Sequence, residues 1–331
     1  MVADHSRLRV RLGVLTNPIA EHNHRFPFIH GHLLRHLSSE ADAVVTADKS
    51  RTEAAVRHLL VDRSITILAI NGGDGTIHSV VNAIASTFGE AILSGTFRPP
   101  TLLFLNGGTY NMASRALCTK DDPVATVRRF QRRFRDGLLA SVPTRRVGLL
   151  EVRRPEPMLG MFFGSEVVSN ALELCDRMGS GYMGLGRLIA QGLLGHALGT
   201  TFYRENAWRL CPSDPTCEVD GKRFHDAIAV VAATLDMKLA RGLIWAVTAP
   251  PDAGAFHAKV IRGKGPGDVV HLLPHLLFEL SHPMIPSFPE ATHLLTSGNF
   301  TLDGELYSQK GRIELCPSPL CLDVVTGDAL R

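Results

Sequence analysis

Ile70-Asn71-Gly72-Gly73-Asp74-Gly75-Thr76-Ile77 decides how this chain is read. The residues leading into it, Ser64 to Ile70 (SITILAI), form a short apolar, β-branched run. That is the pattern of a strand buried on both faces of a parallel sheet. After it, Ile77, Val80, Val81 and Ile84 recur at helical spacing, which predicts a helix from about Thr76. Three of the four turn residues are glycine. Glycine permits positive φ and lets the backbone approach a ligand with no Cβ in the way. Backbone amides and a helix N-terminus then face one point, which makes an anion site. Thr76 is placed to cap the helix or to bind a phosphate oxygen. Asp74 needs a separate reason. A carboxylate beside phosphates repels them unless it holds a cation or takes a proton from a nucleophile, and that pairing points to phosphoryl transfer. A plain strand-to-helix connection needs one glycine and leaves Asp74 unexplained.

Working outward, the same alternation repeats. Leu8 to Thr16 reads as a strand, ending in Thr16-Asn17-Pro18 and a polar loop to Arg25. Phe26 to Leu37 has helical periodicity, Val44-Val45 reads as a short strand, and a helix runs from Ser50 to about Val61, with Ser50 and Glu53 at capping-box spacing. Thr101 to Leu105 is a further buried strand, followed by a second glycine turn, Asn106-Gly107-Gly108-Thr109-Tyr110-Asn111, and a helix from about Met112. Asp121-Asp122-Pro123 opens a helix from Val124 to Arg135. Strands alternating with helices predict a parallel sheet covered on both faces, with ligands at the carboxyl ends of its strands. Asn17, Asp74 and Asn111 each stand just past such an end.

The pattern changes near Ser141 to Arg146. Val147 to Val152, Met158 to Phe163, Ala207 to Cys211, Cys217 to Phe224, Ala227 to Leu235, Leu243 to Val247 and Ala291 to Thr296 read as strands of a mostly antiparallel β domain. Helices are expected at about Glu166 to Cys175, Leu185 to Leu198 and Asp268 to Leu280, and a hairpin at Val219-Asp220-Gly221-Lys222. Leu302-Asp303-Gly304-Glu305 has two readings, a second Asp-Gly hairpin or an acidic pair facing phosphates. Together these predict two domains: an α/β nucleotide-binding domain over residues 1–143, on which the tail 311–331 packs back, and a β-rich lipid-substrate domain over 144–310.

The chain has 331 residues, 45% hydrophobic and 20% charged, which fits a globular protein with a sizeable core. A net charge of +3 is too weak to indicate nucleic acid. Apolar runs fall short of a bilayer span of about 20 residues, and Met1 to Val10 has no signal-peptide core. The expected location is cytoplasmic, with peripheral contact at the inner membrane face. Six cysteines without a CxxC pair fit reduced thiols.

Four motifs in order resemble those of the diacylglycerol kinase catalytic-domain family, which includes bacterial lipid kinases and sphingosine kinases. Asn71 to Thr76 (NGGDGT) is similar to its nucleotide-phosphate loop, and Asn106 to Ala113 (NGGTYNMA) to its P-x-G-T-x-N-x-x-A element. Thr16-Asn17-Pro18 is similar to its N-P-x-S-G opening, and Leu302 to Glu305 (LDGE) to its late D-G-E. The resemblance implies a parallel-sheet α/β domain of the NAD kinase and diacylglycerol kinase type, followed by a β-sandwich-like domain. It also implies ATP- and Mg²⁺-dependent phosphorylation of a lipid hydroxyl, such as diacylglycerol or a sphingoid lipid. Asn17 and Thr109 would contact the nucleotide. The amides of Gly72, Gly73 and Gly75, with Thr76, would hold its phosphates, and Gly108 and Asn111 would complete the site. Asp303 and Asp74 are both candidate bases, Asp303 being favoured because it comes from the substrate domain. Asp74 would then order Mg²⁺ or share the nucleophile's proton, and Glu305 completes the acidic set. The sequence departs from the family at Ile19-Ala20-Glu21, at Asn106 and at Met112, which marks a divergent member. The alternatives are an NAD kinase-like phosphotransferase and a non-catalytic nucleotide- or lipid-binding relative. A homodimer is compatible with the sequence.

Other features carry weaker readings. Gly179 to Gly184 fits G-x-G-x-x-G without a clear strand before it. The apolar helix Leu185 to Leu198 suits packing, an acyl-chain wall or interfacial contact. His22, His24, His30, His32 and His36 form a polar cluster with metal-ligand chemistry in principle. So does a set of Cys211, Cys217 and a histidine. Arg128, Arg129, Arg132, Arg133 and Arg135 make one helix basic, either a solvated face or a dock for anionic lipid.

Overall fold

The computed structural model describes residues 8–119, 121–135, 137–179, 181–210, 214–239, 244–247, 254–277, 280–308 and 311–330. The first stretch holds β1 (Leu12–Thr16), α1 (Glu21–Arg25), α2 (Ile29–Leu34), β2 (Ala43–Val45), α3 (Thr52–Arg57), β3 (Ile67–Gly72), α4 (Asp74–Leu93), β4 (Thr101–Asn106), α5 (Met112–Ala116) and α6 (Pro123–Phe134). Then come β5 (Thr144–Arg153), β6 (Met158–Gly160), β7 (Phe162–Ser165), α7 (Val167–Arg177), α8 (Gly181–Leu198) and α9 (Thr201–Asn206). Next are β8 (Cys217–Val219), β9 (Lys222–Phe224), β10 (Ala227–Ala233), β11 (Met237–Leu239), β12 (Ile244–Val247), β13 (Phe256–Arg262) and α10 (Pro266–Leu277). The chain closes with β14 (Ser287–Ala291), β15 (Leu294–Ser297), β16 (Phe300–Leu302), β17 (Glu305–Tyr307) and β18 (Arg312–Val325). The chain divides into one compact unit of Met1–Val147 with Pro319–Arg331 and a second of Gly148–Ser318.

In the first unit the strand order is β2-β1-β3-β4, all parallel, and the C-terminal part of β18 pairs parallel with β4 at Val324 and Leu102. Every residue of β1 and β3 is buried, so both sheet faces are covered, as the unbroken apolar runs require. One face (Leu12, Val14, Ile67, Ala69, Leu103, Leu105) packs on Ile29 and Leu33 of α2, Val127, Phe130 and Phe134 of α6, and Val325, Ala329 and Leu330. The 20-residue α4, which packs on α3 and β3, buries Ile77, Val80, Val81 and Ile84.

In the second unit, alternation decides the architecture. A six-stranded antiparallel sheet runs β14-β13-β10-β7-β16-β17. Its Phe163, Val230, Ala232, Ala258, Val260, Phe300 and Leu302 share one core with Leu150, Val152, Val219, Leu294, Ile313 and Leu315 of β5, β8, β15 and the start of β18. Two sheets therefore contribute one face each to a sandwich interior. The other face of the six-stranded sheet is covered by Val167 of α7 and Leu272 of α10.

Several boundaries differ from the sequence expectations for identifiable reasons. Phe26 to Leu37 shortens to α2, and the loop before it holds α1, because Pro27 disfavours helical geometry at Phe26. Ala207 to Leu210 is a 3₁₀ turn rather than a strand. It continues directly from α9, which Thr200 caps by accepting from the Tyr203 amide, and Cys211 lies outside the described residues. Met158 to Phe163 divides at Met161: β6 pairs with β5, whereas β7 pairs with β10 and β16. A strand that changes sheets leaves backbone groups without a ladder partner, and the amides of Met161 and Phe162 both find Asp303.

Candidate active site

Register brings the first unit's loops to one edge. Thr16 stands beside Asn71, and Gly72 beside Asn106, so β1, β3 and β4 end together. The glycines of these loops do not use the positive φ that their residue type allows. Gly73 is extended, and among the turn residues it is Asn111 that adopts the left-handed region, at φ 51°. What the loops require is close approach. A Cβ on Gly108 would overlap Gly73, and one on Gly107 would stand 2.6 Å from Asn71 Oδ1 and 2.7 Å from the Gly72 amide. A Cβ on Gly72 would strike Thr76.

Asp74 ties the two loops together. It is the first residue of α4, with Gly73 as the cap, so the helix starts two residues earlier than expected and Thr76 lies inside it. Asp74 Oδ2 accepts from the Met112 amide and Oδ1 from the Ala113 amide, each at 3.0 Å. The carboxylate thus sits at the positive ends of two helices, α4 and α5, where negative charge is favoured. It answers amides that α5 cannot satisfy internally.

The other expected contacts are also engaged. Asn17 Nδ2 donates to Thr76 Oγ1 (2.9 Å), and Asn17 Oδ1 accepts from the Ile19 amide. Asn111 closes on Gly108, accepting from its amide at 2.8 Å and donating to its carbonyl at 2.7 Å. Thr109 donates to the carboxylate of Glu21. The departure at Glu21 therefore places an acid where the resemblance expects glycine, and that acid holds the hydroxyl expected to meet nucleotide. Gly75 is the second residue of α4.

Two asparagines escaped the sequence reading. Asn23 donates to the carbonyls of Asn17 and Asn71, linking the first loop to β3. Asn71 is fully buried, and neither its Oδ1 nor its Nδ2 has a hydrogen-bond partner. Each unmet group costs about 1–3 kcal/mol, and costs of this kind concentrate at functional sites. The signal was available: a polar residue ending an otherwise apolar strand.

In the second unit, Asp303 and Gly304 form the two-residue turn between β16 and β17, with φ of 53° and 87°. The hairpin reading therefore holds, and Asp220-Gly221 between β8 and β9 has the same form, with φ of 46° and 80°. The two aspartates differ in burial. Asp220 is exposed, whereas Asp303 is 1% exposed and accepts from the Met161 (2.8 Å) and Phe162 (2.9 Å) amides on one oxygen, Oδ1. Glu305 is half-buried two residues on. The Tyr307 hydroxyl is pushed above its ordinary pKa by burial first, then by the charges of Glu305 and Asp303.

The weaker motifs resolve differently. His22 packs on Phe26 and His32 on Phe28, and His30 Nδ1 lies 3.3 Å from Thr16 Oγ1; among the described residues these histidines form no three-ligand group. Cys217 is a core residue whose thiol burial pushes up to about 12, and Cys211, its partner in that reading, lies outside the described residues. Gly179 to Gly184 follows α7, a helix, and so lacks the strand a dinucleotide loop needs. On α6, Val127, Phe130 and Phe134 are buried, and Arg128, Arg132 and Arg133 are exposed.

The close approach gives a direct expectation. Gly108→Ala should separate the two loops and weaken nucleotide binding by about tenfold or more, because overpacking costs about 1–3 kcal/mol. Gly192→Ala, in α8 with nothing within 4 Å of its new Cβ, should instead stabilise by about 0.5–1 kcal/mol. Nucleotide titration and denaturant midpoints on both variants check this. Equal behaviour of the two would show that the loops do not need to touch.

The family model described as "Diacylglycerol kinase catalytic domain" matches residues 11–141, the stretch that carries these loops. No curated protein sequence matches the chain. A crystal structure of a diacylglycerol kinase from Bacillus anthracis str. Sterne is 16% identical, covers 97% of this chain and 98% of its own, and superposes with a TM-score of 0.62. A second structure of that kinase class from the same organism gives 15%, 97%, 98% and 0.65. An NAD kinase from Archaeoglobus fulgidus in complex with ATP gives 12%, 96%, 95% and 0.47, too distant to carry an argument. The structural likeness shows the fold, and the domain match supports a kinase-like phosphotransferase. Residues 11–141, the stretch that carries the two glycine loops, thus match the diacylglycerol kinase catalytic domain.

Proposed function

We propose that this protein transfers the γ-phosphate of ATP to the hydroxyl of a lipid. The observation that carries the reading is the close approach of Gly72-Gly73 to Gly107-Gly108 at the N-terminus of α4, which a Cβ on Gly107 or Gly108 would obstruct. Such a cradle suits phosphates, which take backbone amides and a helix N-terminus as partners. Phosphoryl transfer asks the protein for positioning and charge neutralisation. Asp74 positions the second loop, Asn17 and Thr76 hold each other at the edge of the first, and Asp303 is the proposed base for the lipid hydroxyl. Asp74 is the carboxylate of these loops that would hold a hard cation. Mg²⁺, when bound, offsets the charge of the phosphates.

The lipid half of the reading is supported by α8 and the turn after α9. Leu193, Leu194, Leu198 and Trp208 are exposed by 43%, 57%, 75% and 64%. Arg204 is exposed nearby, and Arg209 stacks on Trp208 at 4.9 Å. Exposed leucines with an aromatic and cations suit a membrane interface. Among the described residues no helix is long and apolar enough to cross a membrane. The double variant Leu194→Glu, Leu198→Glu should lose binding to anionic vesicles and turnover on vesicle lipid, and keep turnover on a dispersed short-chain analogue. Unchanged vesicle binding would remove this surface from the reading.

The function itself is tested by transfer of labelled γ-phosphate from ATP with Mg²⁺ to a lipid panel and to NAD, side by side. A labelled lipid is the expected result. Label on NAD, or ATP binding without transfer to any acceptor, overturns it.

A further inference from the structure

A second group of chemically capable side chains lies in the second unit. His293, Glu314 and Cys316 each offer a ligand atom, and these atoms all lie within 4.8 Å of one another. The strand pairing builds this group. Leu294 stands opposite Leu315 and Leu295 opposite Glu314, which sets His293 beside Cys316 one step along the β15–β18 ladder. Glu314 and Cys316, two residues apart on one strand, share that face. Glu314 Oε1 lies 3.2 Å from His293 Nε2 and 3.9 Å from Cys316 Sγ.

We propose that His293, Glu314 and Cys316 bind a borderline divalent cation of the zinc type, a site separate from phosphoryl transfer. Donor chemistry selects the ion: imidazole, carboxylate and thiolate suit zinc, whereas Mg²⁺ prefers oxygen alone. With metal–ligand bonds of about 2.0–2.3 Å, tetrahedral ligands stand roughly 3.2–3.6 Å apart, so the group needs to shift by only a few tenths of an ångström at its two closest pairs. The three protein ligands leave a fourth position for water. On coordination the Cys316 thiol gives its proton to solvent, and the thiolate and carboxylate together balance the ion's two positive charges.

The surroundings fit as well. His293 is held before any ion arrives: Asp220 Oδ1 accepts from the His293 amide at 2.9 Å and from the Thr292 amide at 3.0 Å. The group borders a cavity of about 270 Å³ lined by Arg153, His293, Leu295, Arg312 and Glu314, which gives an ion an entry path. Arg153 donates to Glu314 Oε1 at 2.7 Å. A carboxylate turns readily about its last torsion. One oxygen can thus face the metal while the other keeps Arg153 as an orienting partner of the kind metal sites use.

The test uses the full chain, stripped with a chelator and titrated with Zn²⁺, then with Co²⁺ as a coloured substitute. The expected result is one ion per chain, a sulfur-to-cobalt charge-transfer band, and a zinc-dependent rise in thermal midpoint. Cys316→Ser should abolish the band, and His293→Gln and Glu314→Gln should each weaken zinc by about tenfold or more. Cys118→Ser, in the first unit, should change nothing. Circular dichroism of each variant separates lost ligation from lost folding, and chelator reversal on the unaltered chain needs no variant. Absence of stoichiometric zinc, or binding that survives all three substitutions, overturns the proposal. So does a cavity that takes inorganic phosphate through Arg153 and Arg312 instead.

Discussion

Asp303→Asn is expected to lower turnover by about 10²–10⁴-fold while the fold and ATP affinity stay intact, because a positioned base contributes about that much. The structure makes asparagine an unusually clean probe here. Both amide donors, Met161 and Phe162, fall on the single oxygen Oδ1, so an asparagine carbonyl can keep both bonds while the basic charge is removed. Asparagine also tolerates the left-handed backbone that this turn requires at φ 53°. Stability should therefore fall by less than about 1 kcal/mol. Asp303→Ala should behave quite differently. It leaves two amides unmet in a site 1% exposed, at about 1–3 kcal/mol each, and places alanine in the left-handed region. The sister hairpin supplies a matched control. Asp220 has the same turn, and its Oδ1 alone accepts from Thr292 and His293. Asp220→Asn should keep full turnover. Single-turnover kinetics with denaturant midpoints on all three variants measure the difference. Near-normal turnover of Asp303→Asn would remove Asp303 as base and leave that role to Asp74.

These two hairpins also show where sequence reading reaches its limit. Asp-Gly between β-branched and aromatic residues announces a two-residue turn, and both turns form. Whether the carboxylate faces water or the interior depends on what lies across the strand, here the sheet switch at Met161. No local pattern records that switch, because Met158 to Phe163 is apolar throughout and reads as one strand. The parallel sheet of the first unit was far more legible. Strands of five or six residues, buried throughout except Asn106 at the end of β4, leave few alternatives, and the paired glycine turns stand at their carboxyl ends, where ligands of such sheets are expected. Within that edge, residue types were legible but their pairings were not. The glycines suggest positive φ and close approach to a ligand, and the approach they serve in the fold is between the two loops; Thr76 suggests a cap or a phosphate partner, and its hydroxyl accepts from Asn17. The His293, Glu314 and Cys316 group shows the same limit. Its members are separated by 21 residues at the His293–Glu314 step, and only strand pairing assembles them.

Asp74 is expected to respond to substitution in the opposite way from Asp303, and the distribution of its donors is the reason. Each of its oxygens holds a different amide, Met112 on Oδ2 and Ala113 on Oδ1. Asparagine can satisfy only one of them, and its NH₂ then faces the other donor. Asp74→Asn should therefore cost about 1–3 kcal/mol of stability and differ little from Asp74→Ala in that respect. Both variants also remove a negative charge from the N-termini of α4 and α5, worth about 0.3–1 kcal/mol at each. The functional consequence follows from geometry. The Asp74 carboxylate fixes the start of α5, and with it the turn at Gly107-Gly108 that closes on Gly73. Loss of that anchor slackens the cradle, and misplacement by about 1 Å costs about 10²-fold. ATP affinity and turnover should thus fall together for Asp74, whereas turnover alone should fall for Asp303. Isothermal titration with a non-hydrolysable ATP analogue, alongside kcat and KM on the same preparations, separates the two patterns. Wild-type stability and ATP affinity in Asp74→Asn, with turnover abolished, would overturn the anchoring role and make Asp74 the group that takes the proton.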